Sequence, residues 1–157
     1  MTHSLREVLV KIKEVMTPNP VCCLPNDTAQ QVAIVMRDRS IGSIPVVVDQ
    51  QSRKLLGIIT DRDLCCSVLA AGLDPNTTPI ETYVSLHPVT CGEGENLEKC
   101  EHAMQEHKLR RIPIVDGEGR CIGIVSLADV ALRDEPERVS RTVAEISKSG
   151  SPRPIAA

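Results

Sequence analysis

The chain alternates apolar runs with polar turns, and one such arrangement occurs twice in the sequence. The stretch IPVVVDQQSRKLLGIITDRDL begins at Ile44, and IPIVDGEGRCIGIVSLADV begins at Ile112. Each contains an apolar run, a polar turn, a second apolar run, and a hydroxyl residue followed three positions later by an aspartate. Short apolar runs bounded by turn residues predict buried strands. The predicted strands cover residues 44–49 and 55–59 in the first stretch, and 112–116 and 121–125 in the second.

The repetition extends upstream and defines two copies of one unit. At an offset of 68 residues, Met36 matches Met104. Downstream of the turn after Asp49 the offset is 66, so that Gly57 matches Gly123. A two-residue difference in turn length costs little chain entropy, so it does not disturb the repeat. We therefore interpret the chain as an internal duplication.

Each unit carries two predicted helices, one before and one after its pair of strands. The first begins near Thr28 or Asn96, and Thr28 with Gln31 forms a capping-box pattern. The second begins at Thr60 or Ser126, where a hydroxyl residue precedes an acid at the third helical position. In the first unit the apolar residues at helical spacing are Ala29, Val32, Ala33 and Met36, then Leu64, Val68 and Ala71 before a stop at Gly72.

The order of these elements defines the fold class. A short strand after Pro20 or Pro88 completes a β-α-β-β-α unit, which is of the mixed α/β (α+β) class. A unit of roughly 55 residues with one sheet face to cover is marginal alone. Two units packed sheet against sheet would bury both faces, and we predict that arrangement.

Other segments flank the two units. The lead-in helix is predicted because Ser4 and Glu7 make a capping-box pattern ahead of the apolar stripe Leu5, Val8, Leu9, Ile12 and Met16. The last nine residues, SGSPRPIAA, are predicted to be disordered. In order, the predicted segments are a lead-in helix over 1–16, a first unit over 17–73, a linker over 74–84, a second unit over 85–134 and a C-terminal tail over 135–157.

The composition narrows the classes of function. There is no Phe or Trp and only one Tyr, so the core is aliphatic and base stacking is nearly unavailable. The net charge of -3 provides no basic field for nucleic acid or an anionic membrane. No apolar stretch approaches the roughly 18 residues of a membrane span. We predict a cytoplasmic protein that binds neither nucleic acid nor membrane.

Seven cysteines favour a reducing compartment, because their number is odd and no secretory signal is visible. The pairs Cys22–Cys23 and Cys65–Cys66 are adjacent, and neighbouring side chains diverge on both strands and helices. Small buried hydrophobes are the favoured interpretation. A metal site assembled from distant cysteines and a histidine, or a redox switch, remains an alternative.

The repeated hydroxyl–aspartate pair has two interpretations. Thr60 with Asp63, and Ser126 with Asp129, could simply cap a helix and complement its dipole. Alternatively, a carboxylate fixed at the mouth of a helix could accept hydrogen bonds from the vicinal hydroxyls of a ribose, while free helix N–H groups hold phosphate oxygens.

The repeated Ile–Pro pair is equally open to two interpretations. Pro45 and Pro113 could protect a strand edge from unwanted pairing. Alternatively, they could free the neighbouring backbone, so that Ile44 and Ile112 line an apolar slot for a flat ring.

Taken together, IGSIPVVVD, GIITDRD, RRIPIVD and GIVSLAD resemble a tandem pair of CBS domains, the Bateman module, over roughly residues 10–133. The linker LAAGLDPNT is similar to that of small stand-alone bacterial CBS-pair proteins, a hypoxia-response member among them. The resemblance implies two β-α-β-β-α repeats about a pseudo-twofold axis, dimerisation into a flat disc, and binding of AMP, ATP or S-adenosylmethionine between the repeats.

The resemblance also implies particular site residues. Asp63 and Asp129 would bind ribose beside Thr60 and Ser126, and Ile44–Pro45 with Ile112–Pro113 would border the adenine. Contacts through backbone or hydroxyl groups would come from Thr17, Cys22, Ser85 and Thr90. Arg62, Arg110 and Arg111 are the candidates for selecting phosphate. The second repeat departs from the pattern, because Arg110 stands where the first has Gly42.

We therefore predict a non-enzymatic sensor that needs no cofactor, binds an adenosine-containing ligand, forms a homodimer and acts on an unknown protein partner. CGEGEN lacks the third glycine of a dinucleotide-binding loop, and His102 and His107 are five residues apart rather than four. The alternatives are a structural dimerisation module with vestigial clefts, and a thiol- or metal-based sensor.

Overall fold

The structure is a computed structural model that describes residues 9–148. Its strands form a sheet with the order β1-β7-β6-β5 and a second sheet with the order β2-β3-β4. The strands are β1 Thr17–Pro18, β2 Ser43–Val47, β3 Leu55–Thr60, β4 Ser85–Leu86, β5 Cys91–Gly92, β6 Arg111–Val115 and β7 Cys121–Ser126. The helices are α1 Ala29–Arg39, α2 Asp61–Asp63 continued by a π-helical segment Leu64–Leu69, α3 Leu97–His107, α4 Leu127–Arg133 and α5 Pro136–Ser147. Single 3₁₀ turns occupy Ile12–Glu14 and Ile80–Tyr83.

The strand pairs predicted from the duplicated pattern are present in both repeats. Strands β2 and β3 pair antiparallel, as do β6 and β7, each with a register shift near the end of its first strand. The predicted strand after Pro88 is β5, which runs parallel to β6, whereas after Pro20 only Cys23 forms an isolated parallel bridge to Val46. The mixed α/β class with two related repeats is confirmed.

Local capping explains where the helices begin and end. Thr28 Oγ1 accepts the N–H of Gln31, whose side chain in turn accepts the N–H of Thr28, as the capping-box pattern predicts. Helix α1 ends at Ser40 and α3 ends at Lys108, and both of these residues adopt the left-handed conformation. Equivalent helices therefore end in the same way, although neither uses the glycine that is usual at this position.

Each sheet has its own aliphatic core. The core of the first repeat contains the predicted α1 residues Ala29, Val32 and Met36, but Ala33 is exposed, so the prediction for that residue is wrong. Ala71 is likewise exposed, because the π-helical segment has ended before it. A third, smaller cluster of Cys22, Val47 and Cys121 lies where the repeats meet.

The segment before each repeat belongs structurally to the other repeat. Strand β1 pairs with β7 of the second repeat, and β4 pairs with β3 of the first. Upstream of these strands, Ile12 is buried in the second core and Ile80 in the first. The two repeats therefore exchange their leading segments.

This exchange also completes the helices. The first N–H of α1, that of Ala29, donates to the carbonyl of Thr78 at 2.8 Å, and that of Leu97 in α3 donates to Val10 at 2.8 Å. Both N–H groups lack an intrahelical partner. The leading segment of each repeat thus caps the first helix of the other.

The exchanged segments come close to two glycines, to Gly57 through backbone and to Gly123 through the Met16 side chain. A Cβ on Gly57 would lie 2.4 Å from the Ser85 carbonyl oxygen, and one on Gly123 would lie 2.4 Å from Met16 Sδ. Both distances are far below van der Waals contact. The glycines matched by the sequence repeat are therefore the places where the exchanged segments cross β3 and β7.

The turns of the two strand pairs meet at the pseudo-twofold axis. The N–H of Leu55 donates to the carbonyl of Gly119 at 3.1 Å, and the N–H of Cys121 donates to that of Arg53 at 2.9 Å. Leu55 is equivalent to Cys121 and Arg53 to Gly119, so one bond is the symmetry counterpart of the other. Backbone hydrogen bonds thus join the two sheets directly.

Two predictions about the flanks need correction. The lead-in helix is wrong over residues 9–16, because Lys11 is extended and pairs with Asn96, leaving only the turn Ile12–Glu14 helical. The start of that prediction, Ser4 to Val8, lies outside the described residues. The segment called a tail contains helix α5, which begins with a proline and buries Thr142 and Ile146. The SGSPRPIAA prediction also lies outside the described residues.

Candidate ligand-binding clefts

Two equivalent rows of residues cross the sheets where the leading segments are exchanged. In the first, Pro45 of β2 lies opposite Ile58 of β3, which lies opposite Ser85 of β4. Directly opposed residues in an antiparallel sheet project from the same face. Two residues that the sequence places 40 positions apart, Pro45 and Ser85, therefore share one face.

The second row is Pro113 of β6, Ile124 of β7 and Thr17 of β1. Each residue of this row is the repeat equivalent of one in the first row, because the two rows are related by the same sequence offsets of 68 and 66 residues that relate the repeats. Thr17 is therefore brought to the second repeat rather than to the repeat that follows it in sequence. Each candidate cleft combines residues from both halves of the chain.

The capping pair of the first repeat lies on the same face as its row. Thr60 follows Ile58 by two residues and so shares its face. Asp63 Oδ2 accepts the N–H of Thr60 at 2.8 Å and its hydroxyl at 2.8 Å, while Thr60 Oγ1 accepts the N–H of Asp63 at 3.1 Å. Within the described residues Asp63 Oδ1 accepts no hydrogen bond. The pair caps the helix and still leaves one carboxylate oxygen for a ligand.

The second repeat has the same geometry. Asp129 Oδ2 accepts the N–H and the hydroxyl of Ser126, each at 2.7 Å, and Ser126 Oγ accepts the N–H of Asp129 at 3.2 Å. Both aspartates are half-buried. The capping interpretation is therefore correct for both repeats, and the capping arrangement holds each carboxylate rigidly.

Ile44 and Ile112 do not line these clefts. Both side chains are fully buried in the cores of their own repeats, on the face opposite to Pro45 and Pro113. The prediction that they form an apolar slot is wrong for their side chains, because consecutive strand residues point to opposite faces. The apolar residues on the cleft face are Ile58 and Ile124, which are half-buried.

Ser43 is a cleft residue that sequence reasoning missed. It pairs with Thr60 across β2 and β3 and lies on the same face as Pro45. It is 5% exposed, and among the described residues its hydroxyl has no hydrogen-bond partner. A buried polar group without a partner costs about 1–3 kcal/mol. The sequence signal was only a serine before the Ile–Pro pair, and its burial could not be read from that.

The basic candidates are all exposed and differ in their surroundings. The backbone N–H of Arg62 donates to Asp61 Oδ1 at 2.8 Å, and the carbonyl of Arg110 accepts the N–H of Leu127 at 2.8 Å. Arg111 extends from the second repeat toward the first, where a Cβ on Gly42 would lie 3.7 Å from its Nη1. None of the three arginines forms a salt bridge with a described residue.

The parallel register places the two remaining candidates next to the prolines of the rows, Thr90 beside Pro113 and Cys22 beside Pro45. Thr90 is exposed beside β5, whereas Cys22 is buried in the cluster between the repeats. A surface depression of about 660 Å³ lies between the N-terminal segment and α5 and contains no predicted site residue. It is lined by Leu9, Val10, Asn96, Leu97, Glu98, Arg133, Asp134, Glu135, Pro136 and Arg138.

The cysteines are all free, and most are buried. Cys65 is exposed and Cys66 half-buried, while the other five lie in the interior. Burial raises the pKa of Cys23 to about 12, which makes this thiol a weak nucleophile. Across residues 9–148 no group of three or more His, Cys, Asp or Glu side chains is placed to hold a metal ion.

The chain belongs to the CBS domain family. The family model described as "CBS domain" matches residues 12–69 and again 80–134, one match for each repeat. The chain is 34% identical to hypoxic response protein 1 of Mycobacterium tuberculosis over 125 residues, which are 80% of this chain and 85% of that protein.

Solved structures of the same family share the fold. Hypoxic response protein I, solved with two coordinated zinc ions, is 31% identical, with a TM-score of 0.72 over 80% of this chain and all of the other. The CBS domain pair of protein MJ0100, solved with 5-methylthioadenosine and S-adenosyl-L-methionine, is 26% identical, with a TM-score of 0.69 over 79% of this chain and 94% of the other.

Proposed function

We propose that the protein is a regulatory module that binds an adenosine-containing ligand in the two clefts between its repeats. AMP, ATP and S-adenosylmethionine are the candidate ligands. The protein carries out no reaction on the ligand. Binding shifts the balance between two arrangements of the repeats, and so alters what the module contacts.

The unpartnered hydroxyl of Ser43 carries this proposal. A buried hydroxyl without a partner is rare in folded proteins, and it signals an absent group that would satisfy it. It lies opposite Thr60, whose N–H is held by Asp63 Oδ2, and the other oxygen of that carboxylate can accept a hydroxyl. A ligand presenting adjacent hydroxyl groups, as a ribose does, satisfies Ser43 and Asp63 together.

The likeness to the MJ0100 pair supports adenosine as the shared part of the ligand. That protein was solved with two different adenosine compounds, which differ in charge and size at the 5′ position. The rows Pro45–Ile58–Ser85 and Pro113–Ile124–Thr17 provide a partly apolar strip for the flat base. The aspartates provide the acceptors for ribose.

Calorimetric titration of the whole protein with AMP, ATP, S-adenosylmethionine and adenosine tests the proposal. Asp63→Asn retains an oxygen that can cap Thr60 but replaces the free carboxylate oxygen with a donor. We expect this variant to lose about tenfold or more in affinity for whichever ligand binds. Asp27→Asn is the matched control, because Asp27 also accepts a backbone N–H, that of Leu24 at 2.8 Å, and belongs to neither row.

Two results would contradict the proposal. No heat with any of the four compounds would leave the structural dimerisation module as the better interpretation. Equal affinities for the parent, Asp63→Asn and Asp27→Asn proteins would show that the ligand lies elsewhere.

We also propose that the module is a cytoplasmic homodimer. Large apolar side chains are exposed on the helices that follow each strand pair, with Leu69 60% and Leu132 82% exposed. A second copy would cover both, because the pseudo-twofold axis places the helices of both repeats in equivalent positions. Seven free cysteines suit a reducing compartment. No described helix is both long and apolar enough to cross a bilayer.

A further inference from the structure

A buried pair of thiols lies where the two repeats meet, beside a guanidinium group. Cys22 and Cys121 pack together with Val47, and their side chains interact with each other. Arg53 Nη2 donates to Cys22 Sγ at 3.3 Å and to the carbonyl of Pro20 at 2.7 Å. Arg53 Nε donates to the carbonyl of Cys121 at 3.2 Å. The Arg53 side chain thus contacts both cysteines, Cys22 through its sulfur and Cys121 through its backbone carbonyl.

Arg53 occupies a backbone conformation that a Cβ disfavours. Its φ is +52°, and the equivalent residue of the second repeat is a glycine, Gly119, with φ +77°. The equivalents of the two cysteines are Thr90 and Leu55. The arrangement of two thiols and a guanidinium therefore exists on one side of the pseudo-twofold axis alone, and an arginine is kept where glycine would fit more easily.

The surroundings distinguish the two sulfurs. The hydrogen bond with Cys121 and the charge of Arg53 lower the pKa of Cys22 against the effect of burial. The same hydrogen bond and burial raise the pKa of Cys121. Cys22 is 7% exposed and Cys121 1% exposed, so Cys22 is the less deeply buried of the two residues. A thiol whose pKa is lowered beside one whose pKa is raised suits the division of roles between an attacking and a resolving cysteine.

We propose that Cys22 and Cys121 form an oxidisable dithiol that reacts with small hydroperoxides and closes a disulfide between the repeats. The Cys22 thiolate attacks a peroxide oxygen; an S–O bond forms, the O–O bond breaks, and the departing oxygen takes a proton from solvent and leaves as the alcohol, or as water when the oxidant is hydrogen peroxide. Cys121 then attacks the sulfenic sulfur, the S–S bond forms, and the hydroxyl leaves as water with the proton of the Cys121 thiol. Two thiols lose two electrons in total, and the hydroperoxide gains them.

A second buried pair provides an internal comparison. Cys91 and Cys100 also interact with each other in the core of the second repeat. Among the described residues no guanidinium donates to either of their sulfurs. The two pairs share burial and proximity, but Cys91 lies near the charges of Glu95 and Lys99 instead of an arginine that donates to its sulfur, so the proposal predicts that they react at different rates.

The test uses the full chain carrying Cys65→Ser and Cys66→Ser, because those two thiols are the exposed and half-buried ones. Five of the seven cysteines then remain. The reduced protein is exposed to hydrogen peroxide, alkylated in denaturant, and weighed intact. We expect the number of alkylated thiols to fall from five to three, and peptide mapping to join Cys22 to Cys121.

Variants test whether the rate of oxidation depends on Arg53. Arg53→Gly should fold, since glycine fits the left-handed conformation, and should oxidise at least fivefold more slowly. Cys91→Ser should oxidise at the rate of the parent. If Arg53→Gly does not fold, Arg53→Gln makes the same comparison. Five alkylated thiols after oxidation, a bridge elsewhere, or an unchanged rate without Arg53 would overturn the proposal.

Discussion

Ser43 and Arg111 occupy equivalent positions, one residue before the two Ile–Pro pairs, and lie opposite Thr60 and Ser126 respectively. The first is buried with an unsatisfied hydroxyl, and the second is exposed with an unpaired charge among the described residues. The two clefts therefore have equivalent aspartates but differ in the residue opposite the capping hydroxyl, which is Ser43 in one and Arg111 in the other. This difference governs the expected behaviour of variants.

Replacing the two aspartates should weaken binding unequally. Asp63→Ala and Asp129→Ala each remove a fixed carboxylate, but the residue opposite the capping hydroxyl is Ser43 in the first repeat and Arg111 in the second. We expect different losses of adenine-nucleotide affinity in calorimetric titration, with at least one of about tenfold or more, equivalent to about 1.4 kcal/mol. Parent-like binding by both variants would remove the carboxylates from the site.

Removing the hydroxyl of Ser43 should stabilise the empty protein and weaken the complex. Ser43→Ala deletes a buried group without a partner, so the free energy of unfolding should rise by up to about 1–3 kcal/mol. The same change deletes a ligand contact, so affinity should fall. Urea unfolding and calorimetry measure the two effects on one variant.

Ser52→Ala is the control for that prediction. The Ser52 hydroxyl donates to Asp49 Oδ2 at 2.6 Å, so its loss should destabilise the protein without changing ligand affinity. A destabilised Ser43→Ala protein would mean that a bound water satisfies the hydroxyl, and would weaken the case for a ligand there.

Arg62 should distinguish nucleotides from nucleosides. Its side chain is exposed between Asp61 and Asp63 and free to reach a phosphate group, and a charge-assisted hydrogen bond contributes about 1.5–3 kcal/mol. Arg62→Ala should therefore weaken binding of ATP or AMP more than binding of adenosine. Arg37→Ala, an exposed arginine of α1, should change neither. Equal losses for nucleotide and nucleoside would assign Arg62 to the fold rather than to phosphate.

A buried carboxyl makes stability depend on pH. Glu101 accepts hydrogen bonds from Thr142 Oγ1 at 3.2 Å and Arg138 Nη2 at 3.0 Å, which join α3 to α5. Burial, and then the nearby Asp134 carboxyl, raise the pKa of Glu101 to about 7. Between about pH 4.5 and pH 7 the folded protein therefore holds a proton that the unfolded chain releases, so stability falls as the pH rises through this window.

Glu101→Gln tests this by mimicking the protonated side chain. Its unfolding free energy should lack that decline, with a difference from the parent of at most about 3 kcal/mol above pH 7. Glu98→Gln, on the same helix and exposed, should keep the parent's pH dependence. Urea unfolding between about pH 5 and pH 8 provides the comparison. Parallel curves for parent and Glu101→Gln would show that Arg138 keeps Glu101 ionised throughout.

The exposed leucines should control association. Leu132→Glu places a charge on the helix face that we assign to the dimer, so light scattering should show the parent as a dimer and this variant as a monomer. Val48→Glu, an equally apolar exposed position after β2, should leave the dimer intact. A monomeric parent at micromolar concentration would contradict the assignment.

Local patterns predicted the parts of this fold that local interactions determine. The caps at Thr28, Thr60 and Ser126 depend on residues three positions apart, and all three formed as predicted. The predicted lead-in helix is reduced to the turn Ile12–Glu14, because the backbone of Val10 and Ile12 bonds to Leu97 and Glu95, more than 80 residues away. No periodicity within a short window reports such a partner.

The candidate site divides in the same way. The aspartates and prolines could be identified from the sequence because they recur in both repeats. Both prolines lie in strands that the sequence predicted. Ser43 could not be recognised from the sequence, because its burial and its lack of a hydrogen-bond partner depend on tertiary packing. Ile44 and Ile112 were assigned to the wrong face of the sheet. Consecutive strand residues point to opposite faces, and the prolines that follow them lie on the cleft face.

Because the repeats exchange their leading segments, they are held together mainly by non-covalent contacts and only to a small extent by the peptide linker between them. Segments 10–18 and 78–86 each complete a sheet, a core and a helix start in the opposite half, and backbone bonds at Arg53 and Gly119 clasp the two turns. The loop around Asn76 is exposed; the carbonyl of Pro75 within it accepts the N–H of Gln30, and the loop tethers one half near the other, which raises their local concentration. Cleaved there, the molecule is a heterodimer of two incomplete fragments, each the template on which the other folds.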